Sequence, residues 1–200
     1  VCDKFNGIIK YNGNNWSYLY HGEWMKNIFA EEDTVYALFD QSSEVRTWIN
    51  GSPGETFHPL FGHDRISVKN GKMYGSTSIP RGTLSIPIEN GYYLYDPDSC
   101  MILDRYNFDI KHSPNSDLLF VAHENGISVA KDGVFYDTIT SNNSWGMPGG
   151  AIAEIEVDSQ DNIWALFGEL SNNGYSFSGY YSIAYYNSKT RAWSNIFSVN

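Results

Sequence analysis

The stretch Ile155-Glu-Val-Asp-Ser-Gln-Asp-Asn-Ile-Trp-Ala-Leu-Phe167 holds the pattern that decides the fold. Its first part alternates apolar and acidic side chains, which is the period of a strand with one buried face. Two aspartates follow in a polar segment, and aspartate favours tight turns because its side chain accepts hydrogen bonds from nearby backbone amides. The last part is an apolar run of strand length. The stretch therefore predicts two strands joined by a short turn.

The second half of this pattern recurs along the chain. A turn residue, an apolar strand start and an aromatic three positions on appear at Asp33-Thr-Val-Tyr36, Gly71-Lys-Met-Tyr74, Asp117-Leu-Leu-Phe120 and Asp161-Asn-Ile-Trp164. The starting positions 33, 71, 117 and 161 lie 38, 46 and 44 residues apart. These intervals match the ~40–50-residue periods of propeller repeats, each of which forms one four-stranded sheet.

A second recurring unit predicts the third strand of each repeat. Its copies are Gly7-Ile-Ile-Lys-Tyr11, Glu44-Val-Arg-Thr-Trp48, Gly91-Tyr-Tyr-Leu-Tyr95, Gly126-Ile-Ser-Val-Ala130 and Ser182-Ile-Ala-Tyr-Tyr186. A turn signal comes directly after each copy, at Asn12-Gly13, Asn50-Gly51, Asp96-Pro97, Asp132-Gly133 and Asn187-Ser188. Asparagine or aspartate followed by glycine between apolar runs is a strong hairpin signal. Each repeat therefore has four short antiparallel strands, which we label A, B, C and D.

We predict an all-β protein, a β-propeller with four complete four-stranded blades plus part of a fifth, rather than a long flat sandwich. The predicted blades are approximately residues 1–20, 25–61, 64–104, 106–140 and 151–199, in a single propeller domain or propeller segment spanning 1–200. The repeat places Val1 and Cys2 at the end of a B strand. We therefore expect a fragment of a larger ring, in which Val1 is not the native N-terminus or another chain completes the blade.

Composition excludes several function classes. The chain has 15 Tyr, 11 Phe, 6 Trp and 18 Gly, which favours β-structure. Its net charge of −10 argues against binding nucleic acid, because phosphate binding needs clustered Lys and Arg. No apolar run approaches the ~20 residues of a membrane span. Cofactor fingerprints and metal-ligand spacings are missing from the sequence, so we predict no cofactor and no metal. Whether Cys2 and Cys100 are bonded stays open.

The stretch 155–167 resembles the repeat of two-component regulator propellers. Asp158, Asp161, Asn162 and Trp164 occupy the places of that family's turn and of the apolar-Trp start of its second strand. The resemblance is fullest in the last blade, and it implies a propeller fold and, by analogy, a sensory or binding role. We interpret these four residues as structural, with the aspartates capping backbone amides and Trp164 packing between blades.

The long connections indicate where a binding site would lie. In an up-and-down blade the B–C and D–A connections emerge on one face, and the connections 76–90, 141–150 and 168–178 all belong to that face. Elaborated loops on a rigid scaffold commonly carry function. The candidate ligand-binding residues on these loops are Arg81, Trp145, Met147, Tyr175 and Phe177. They could stack on a sugar or grip a peptide, or they could pack the loops onto the rim.

Three functions follow from this reading. The favoured one is a recognition or sensing module, extracellular or periplasmic, for a glycan, a peptide or a small ligand. The second is a structural or assembly component of a surface fibre or multi-chain complex, with further blades or neighbouring chains as partners. The third is a propeller enzyme acting on polysaccharide, for which the sequence indicates no catalytic residue. Recognition is favoured over catalysis because no nucleophile or acid–base motif is found.

Overall fold

The computed structural model describes residues 2–3, 7–40, 44–57, 65–69, 72–76, 83–89, 92–93, 100–101, 107–132, 134–172 and 176–199. These residues form strands, turns and bends, and none of them is helical. The all-β prediction is confirmed. The chain divides into two compact units, residues 1–75 with 86–97 and residues 76–85 with 98–200, and each unit has its own core.

The strands form five antiparallel sheets that follow one another along the chain. The first sheet has three strands, the second, fourth and fifth have four each, and the third contains five segments. In chain order the strands are β1 (Cys2–Asp3), β2 (Gly7–Tyr11), β3 (Trp16–His21); β4 (Met25–Glu31), β5 (Thr34–Phe39), β6 (Val45–Ile49), β7 (Ser52–Phe57); β8 (Arg65–Lys69), β9 (Lys72–Ser76), β10 (Thr83–Glu89), β11 (Tyr92–Tyr93), β12 (Cys100–Met101); β13 (Asn107–His112), β14 (Leu118–His123), β15 (Gly126–Lys131), β16 (Val134–Ile139); and β17 (Ala151–Val157), β18 (Ile163–Leu170), β19 (Phe177–Asn187), β20 (Ala192–Ser198).

Two of the predicted hairpins show why the local turn signals were reliable. Ile49 pairs with Ser52 across the turn 50–51, and Lys131 pairs with Val134 beyond the turn at Asp132. Asn50 and Asp132 have φ angles of 51° and 50°. Asparagine and aspartate tolerate this left-handed conformation better than other residues with a side chain. The turn chemistry at these positions therefore sets the register of the two strands on either side.

The third sheet differs from the prediction. Its third strand is β10, which lies inside the segment 76–90 that was predicted to be a long loop, so that prediction is wrong. Glu89 pairs with Tyr92, so β10 and β11 are adjacent antiparallel strands, and the predicted turn residues Asp96 and Pro97 lie outside the described residues. The alternation of Leu84, Ile86 and Ile88 marks this strand, but Pro87 interrupts it, and proline inside a run argues against a strand. The predicted C strand at 91–95 is likewise wrong, since β11 and β12 both pair with β10 as pieces of the fourth strand.

In the first unit, β5 sends apolar side chains to both faces of the second sheet. Ala37 and Phe39 join a buried cluster with Ile8 of the first sheet. Leu38 joins a second cluster, which contains Ile66 of the third sheet. Both faces of the second sheet are therefore covered by sheets that neighbour it along the chain, which is the lateral packing of a propeller.

The second unit has one continuous core between its two complete sheets. Residues of β14, β15 and β16 meet residues of all four strands of the fifth sheet in a single buried cluster. Its members are Phe120, Ala122, Ile127, Val129, Ile139, Ile152, Ile155, Ile163, Ala165, Phe167, Ala184, Tyr186 and Trp193. The fourth and fifth sheets thus exclude water from each other by direct face-to-face packing.

Trp164 does not belong to the core between the fourth and fifth sheets. Ile163 and Ala165 point into the cluster between the fourth and fifth sheets, whereas the side chain of Trp164 is 44% exposed. Successive side chains of a strand point to opposite faces, so Trp164 lies on the other face of the fifth sheet. There its ring lies 5.0 Å from the ring of Tyr185, centroid to centroid.

The turn of the repeat is closed by Asp158. One oxygen of its carboxylate, Oδ1, accepts hydrogen bonds from the backbone amides of Gln160 (2.8 Å) and Asn162 (3.0 Å). The other, Oδ2, accepts one from Asn162 Nδ2 at 3.0 Å. The hydrogen bond from the Asn162 side chain, with smaller contributions from the backbone amides, lowers the pKa of Asp158. Asp161 lies in the same turn with a φ angle of 62° and accepts a hydrogen bond from Ser116 Oγ at 3.0 Å.

Polar side chains also connect the first strands of successive sheets. Asn27 Oδ1 accepts a hydrogen bond from the backbone amide of Ile66 at 2.9 Å. Asp109, which is buried, accepts one from Ile155 N at 2.9 Å and one from its own neighbour, Ile110 N, at 2.9 Å. Asn27 and Asp109 each follow a break in strand register. A bulge therefore aims each acceptor at the neighbouring sheet.

We expect Ile163→Ala to lower the free energy of unfolding by about 2–5 kcal/mol, because it leaves a cavity in the core of the second unit. Trp164→Ala should lower it by less, although more atoms are removed, because nearly half of that side chain is in water. Chemical denaturation of both variants measures the difference. A larger loss for Trp164→Ala would contradict the placement of these two neighbours on opposite faces.

We expect Asp109→Ala to be destabilising by at least about 1–3 kcal/mol, because the buried amide of Ile155 loses its acceptor. Asp137→Ala is the matched control, since Asp137 forms a partly exposed ion pair with Arg191 at 2.9 Å. Such pairs contribute about 1 kcal/mol or less. Equal melting temperatures for the two variants would argue against a role for Asp109 in joining the sheets.

Candidate functional site

A cleft of about 720 Å³ opens in the second unit, where the connection between β16 and β17 passes the end of β18. Its walls are residues 147–151 and 168–170, together with Glu124, Asn125, Ser141 and Tyr181. Parts of three connections or strand ends thus meet at one place. Two of them, 141–150 and 168–178, are connections that the sequence predicted to share a face.

Glycines form the part of the wall where backbone segments approach each other most closely. Gly150 has a φ angle of +89°, and a Cβ at that position would overlap the hydroxyl of Tyr181 and lie 2.8 Å from the carbonyl oxygen of Gly168. A Cβ on Gly168 would lie 2.6 Å from the carbonyl oxygen of Gly179. Backbone therefore meets backbone here, and the cleft is bordered by peptide groups whose positions the sheet sets.

Tyr181 joins the sheet to the loop above it. Its hydroxyl donates a hydrogen bond to the carbonyl oxygen of Gly149. Burial raises the pKa of Tyr181, and the negative charge of Glu169 raises it further. The hydroxyl is therefore protonated at neutral pH and acts as a donor.

The loop 140–150 is held in place by hydrogen bonds along its length. Asn143 Nδ2 donates to the carbonyl oxygen of Thr138 at 2.6 Å, and its Oδ1 accepts from Thr140 N at 2.8 Å. Further along, the backbone of Trp145 pairs with the start of β20 through Trp145 N to Arg191 O (2.9 Å) and Trp193 N to Trp145 O (2.7 Å). A loop with these attachments presents its residues to a ligand with little further ordering.

The opposite rim of the cleft is the turn at Glu124 and Asn125, and a buried histidine supports it. His123 Nδ1 accepts a hydrogen bond from Asn125 N at 3.1 Å. An accepting Nδ1 carries no proton, so Nε2 holds it and donates to Ser128 Oγ at 3.2 Å. His123 thus acts as a structural part of the rim, which the scattered positions of the histidines in the sequence did not reveal.

The cleft is acidic. Glu124 and Glu169 are among its lining residues, and none of the described residues that line it is Lys or Arg. Met147, Leu170 and Ala151 add apolar surface. Acidic and apolar groups side by side suit a ligand that combines a positive charge with an aliphatic chain. Sequence reasoning missed Glu124, Glu169 and Tyr181, because nothing local distinguishes them from other polar residues near strand ends.

Three of the five candidate ligand-binding residues are described, and only one of these three lines the cleft. Met147 lines the cleft, and Trp145 is 82% exposed and does not line it. Phe177 packs against Phe108 and Tyr180, with ring centroids 4.8 Å and 5.6 Å away. Arg81 and Tyr175 lie outside the described residues.

Two further observations concern other kinds of site. A smaller cleft of about 560 Å³ lies in the first unit, between strands of the first and second sheets, with Glu32 and Asp33 among its lining residues. Among the described residues, no group of three or more His, Cys, Asp or Glu side chains is arranged to hold a metal ion. In the same part of the chain, no helix is long and apolar enough to cross a membrane.

Comparison with solved structures defines the class of fold. Similar structures include the hydrazine synthase of Kuenenia stuttgartiensis, with a TM-score of 0.65 and 12% identity over 88% of this chain and 49% of that chain. The WD40 repeats of RRP9 match with a TM-score of 0.63 and 8% identity, over 88% and 52% of the two chains. The Pan2 WD40 domain of Neurospora crassa matches with a TM-score of 0.61 and 11% identity, over 87% and 52%.

These likenesses confirm the prediction of a β-propeller, because WD40 repeats form propellers of four-stranded blades. At 8–12% identity they show the fold alone. The chain spans about half the length of these structures. No protein-family model and no curated protein sequence matches the chain, so membership of the two-component regulator propellers stays a prediction.

We expect Gly150→Ala to be destabilising by about 1–3 kcal/mol, because a side chain at this φ angle is strained and displaces Tyr181. Gly149→Ala is the matched control, since a Cβ there would meet no atom within 4 Å. Thermal unfolding of the two variants gives the comparison. If Gly150→Ala leaves the thermal stability unchanged, the wall of the cleft does not have the close contacts described for Gly150.

Proposed function

We propose that this chain is a recognition module and that its ligand is a peptide segment carrying Lys or Arg, bound in the cleft of the second unit. The observation that carries the proposal is the pair of carboxylates, Glu124 and Glu169, in a cleft whose described lining residues include no Lys or Arg. A guanidinium or ammonium group on a peptide would form charge-assisted hydrogen bonds with these carboxylates. The net charge of −10 would speed the encounter with a basic partner.

The apolar lining favours a ligand with a Lys or Arg side chain over a cation that has no aliphatic part. Lys and Arg carry aliphatic stems that pack on apolar surface while the charged end reaches polar groups. Met147 and Leu170 offer that surface, and the amide of Asn125 offers orienting hydrogen bonds. Because the loop 140–150 is already anchored, little conformational entropy would be lost on binding.

A peptide is favoured over a glycan for a specific reason. Sugar recognition relies on aromatic faces with polar groups beside them, and the exposed ring of Trp145 lies outside the cleft. The resemblance of residues 155–167 to two-component regulator propellers supports a sensory role, and an extracellular or periplasmic location is part of this proposal.

The proposal is tested with a fluorescein-labelled pentapeptide that carries two arginines, titrated with the protein and followed by fluorescence polarisation. We expect binding that weakens as salt is raised, because the contact is between charges. The Glu124→Gln/Glu169→Gln double variant should bind at least about tenfold more weakly. A peptide with two glutamates in place of the arginines should not bind.

A control variant distinguishes binding in the cleft from non-specific attraction to the overall negative charge of the chain. Glu55→Gln/Glu156→Gln removes the same number of charges at exposed positions outside the cleft. Binding should be nearly unchanged in this variant. If both double variants weaken binding equally, attraction is non-specific and the cleft is not the site. If neither weakens it, the role of the carboxylates is refuted.

A further inference from the structure

The second, fourth and fifth sheets share one cross-strand pair, which lies just before a break in register between their first two strands. In the second and fifth sheets both members of the pair are apolar and are buried in core clusters. These pairs are Met25 with Phe39 and Ile152 with Phe167. The equivalent pair of the fourth sheet is Asn107 with His123, and both side chains are fully buried. The fourth sheet therefore carries two buried polar groups where two other sheets carry an apolar pair.

The polar pair lies on the face of the fourth sheet that points away from the fifth sheet. Ala122, the residue before His123, belongs to the core between these two sheets. Successive side chains of a strand point to opposite faces, so His123 points the other way. Asn107 is directly opposite His123 in the register, which puts both side chains on one face with their Cβ atoms about 4.5–5.5 Å apart. The two polar groups are therefore within reach of each other.

The side-chain amide of Asn107 is unused. Among the described residues, neither its Nδ2 nor its Oδ1 has a hydrogen-bond partner, although both atoms are buried. A buried amide without a partner destabilises the fold, and such groups are rare for that reason. The apolar residues at the same position of the other two sheets avoid this cost. Asn107 is thus accounted for by a second arrangement in which its Oδ1 accepts a hydrogen bond.

His123 supplies the missing donor when its ring gains a proton. In the neutral ring, Nδ1 accepts a hydrogen bond from Asn125 N at 3.1 Å, and Nε2 is bonded to Ser128 Oγ at 3.2 Å. A protonated ring carries a hydrogen on both nitrogens, so Nδ1 can no longer accept. The backbone amide of Asn125 then loses its acceptor. The new N–H requires an acceptor because it is buried, and Asn107 Oδ1 is the unused acceptor beside it.

The charged groups around His123 come from its own strand and from the strands that pack against it. Glu124 follows His123 directly. On β13, Asp109 pairs with Ala122 on the opposite face and accepts hydrogen bonds from two backbone amides. On β15, Lys131 is exposed and lies three residues beyond Ser128. The charged residues of β17, which also contacts β14, are the exposed Glu154 and Glu156. Among the described residues, Glu124 is the charged neighbour of the ring, and its carboxylate favours the protonated form.

We propose that His123 is a proton-sensitive positioning residue of the recognition site. The neutral ring holds the turn of Glu124 and Asn125 at the rim of the cleft, and the protonated ring bonds to Asn107 and releases that turn. This inference rests on the proposed function, because the released turn carries one of the two carboxylates that bind the basic peptide. Peptide binding selects the neutral ring, so affinity falls as the pH is lowered through the range in which histidine titrates, about pH 8 to 5.

The first test measures peptide affinity against pH. A tetramethylrhodamine-labelled pentapeptide with two arginines is titrated with the protein between pH 8 and pH 5 at constant ionic strength, and fluorescence polarisation gives the dissociation constant. The wild-type affinity should fall at least about tenfold over this range. His123→Asn is the conservative variant, because the asparagine Oδ1 replaces Nδ1 as acceptor for Asn125 N and does not titrate. It should bind like the wild type at pH 8 and keep that affinity down to pH 5.

A second variant tests the role of Asn107. Asn107→Leu has a side chain of similar size without an acceptor, so the protonated ring of His123 loses its partner. The loss of affinity should then begin at least about one pH unit lower than in the wild type, with unchanged binding at pH 8. A loss at the same pH as in the wild type overturns the role of Asn107. Circular dichroism at each pH checks that the variants are folded.

Nuclear magnetic resonance of the ¹⁵N-labelled chain separates the switch from its ligand, because it needs no peptide. The ring nitrogens of His123 are identified by their absence from the His123→Asn spectrum. Their protonation, the shift of the Asn125 backbone amide and the shift of the Asn107 side-chain amide should have one common midpoint. If they do, and the wild-type chain binds no peptide at any pH, the switch stands and the proposed ligand is wrong.

Three results overturn the inference. The first is a His123 ring that stays neutral down to pH 5 in the folded protein. The second is a ring that gains its proton without a change at the Asn125 amide. The third is a peptide affinity that depends on pH in the same way in the wild type and in His123→Asn, since the titrating group then lies elsewhere.

Discussion

A β-sheet with apolar residues on both faces is shielded from water only when each face packs against a neighbouring sheet. The second sheet shows this constraint most directly, since Ala37 and Leu38 are consecutive residues of one strand and are buried against different neighbours. In a two-layer protein one of these positions would be polar. Here both are apolar, so the sheets must stack side by side, and the rest of the structure follows from that requirement.

Apolar contacts alone do not fix how neighbouring sheets are aligned with each other. Hydrogen bonds from polar side chains supply that alignment. Asn27 and Asp109 each follow a bulge in the first strand of a sheet, and each accepts a hydrogen bond from a backbone amide of the next sheet. A buried amide must have an acceptor, so neighbouring sheets have one favourable offset along their strands. Glu154 follows the corresponding bulge in the fifth sheet. The bulge therefore recurs in three sheets, and in two of them the residue that follows it bonds a backbone amide of the next sheet.

The packing constraint also decides where function can be placed. Residues on the faces of the sheets are needed for packing between sheets. Residues at strand ends and in connections can vary in their chemical properties. The acidic cleft lies at such strand ends, with Glu124 and Glu169 on connections and strand termini supported by buried groups such as His123.

Local chemistry was sufficient to predict many of the described strands and two of their hairpins. Asn50-Gly51 and Asp132-Gly133 specify hairpins through their own backbone preferences, and the alternation of side chains specifies which residues share a face. The prediction failed at β10, where Pro87 interrupts a strand whose partners stabilise it. Whether Trp164 is buried could not be read from its position in the repeat, because burial is a property of the neighbouring sheet. The cleft could not be predicted from the sequence either, because Glu124, Gly150 and Tyr181 come together only after the sheets have packed. Proximity between residues far apart in sequence is set by the fold as a whole.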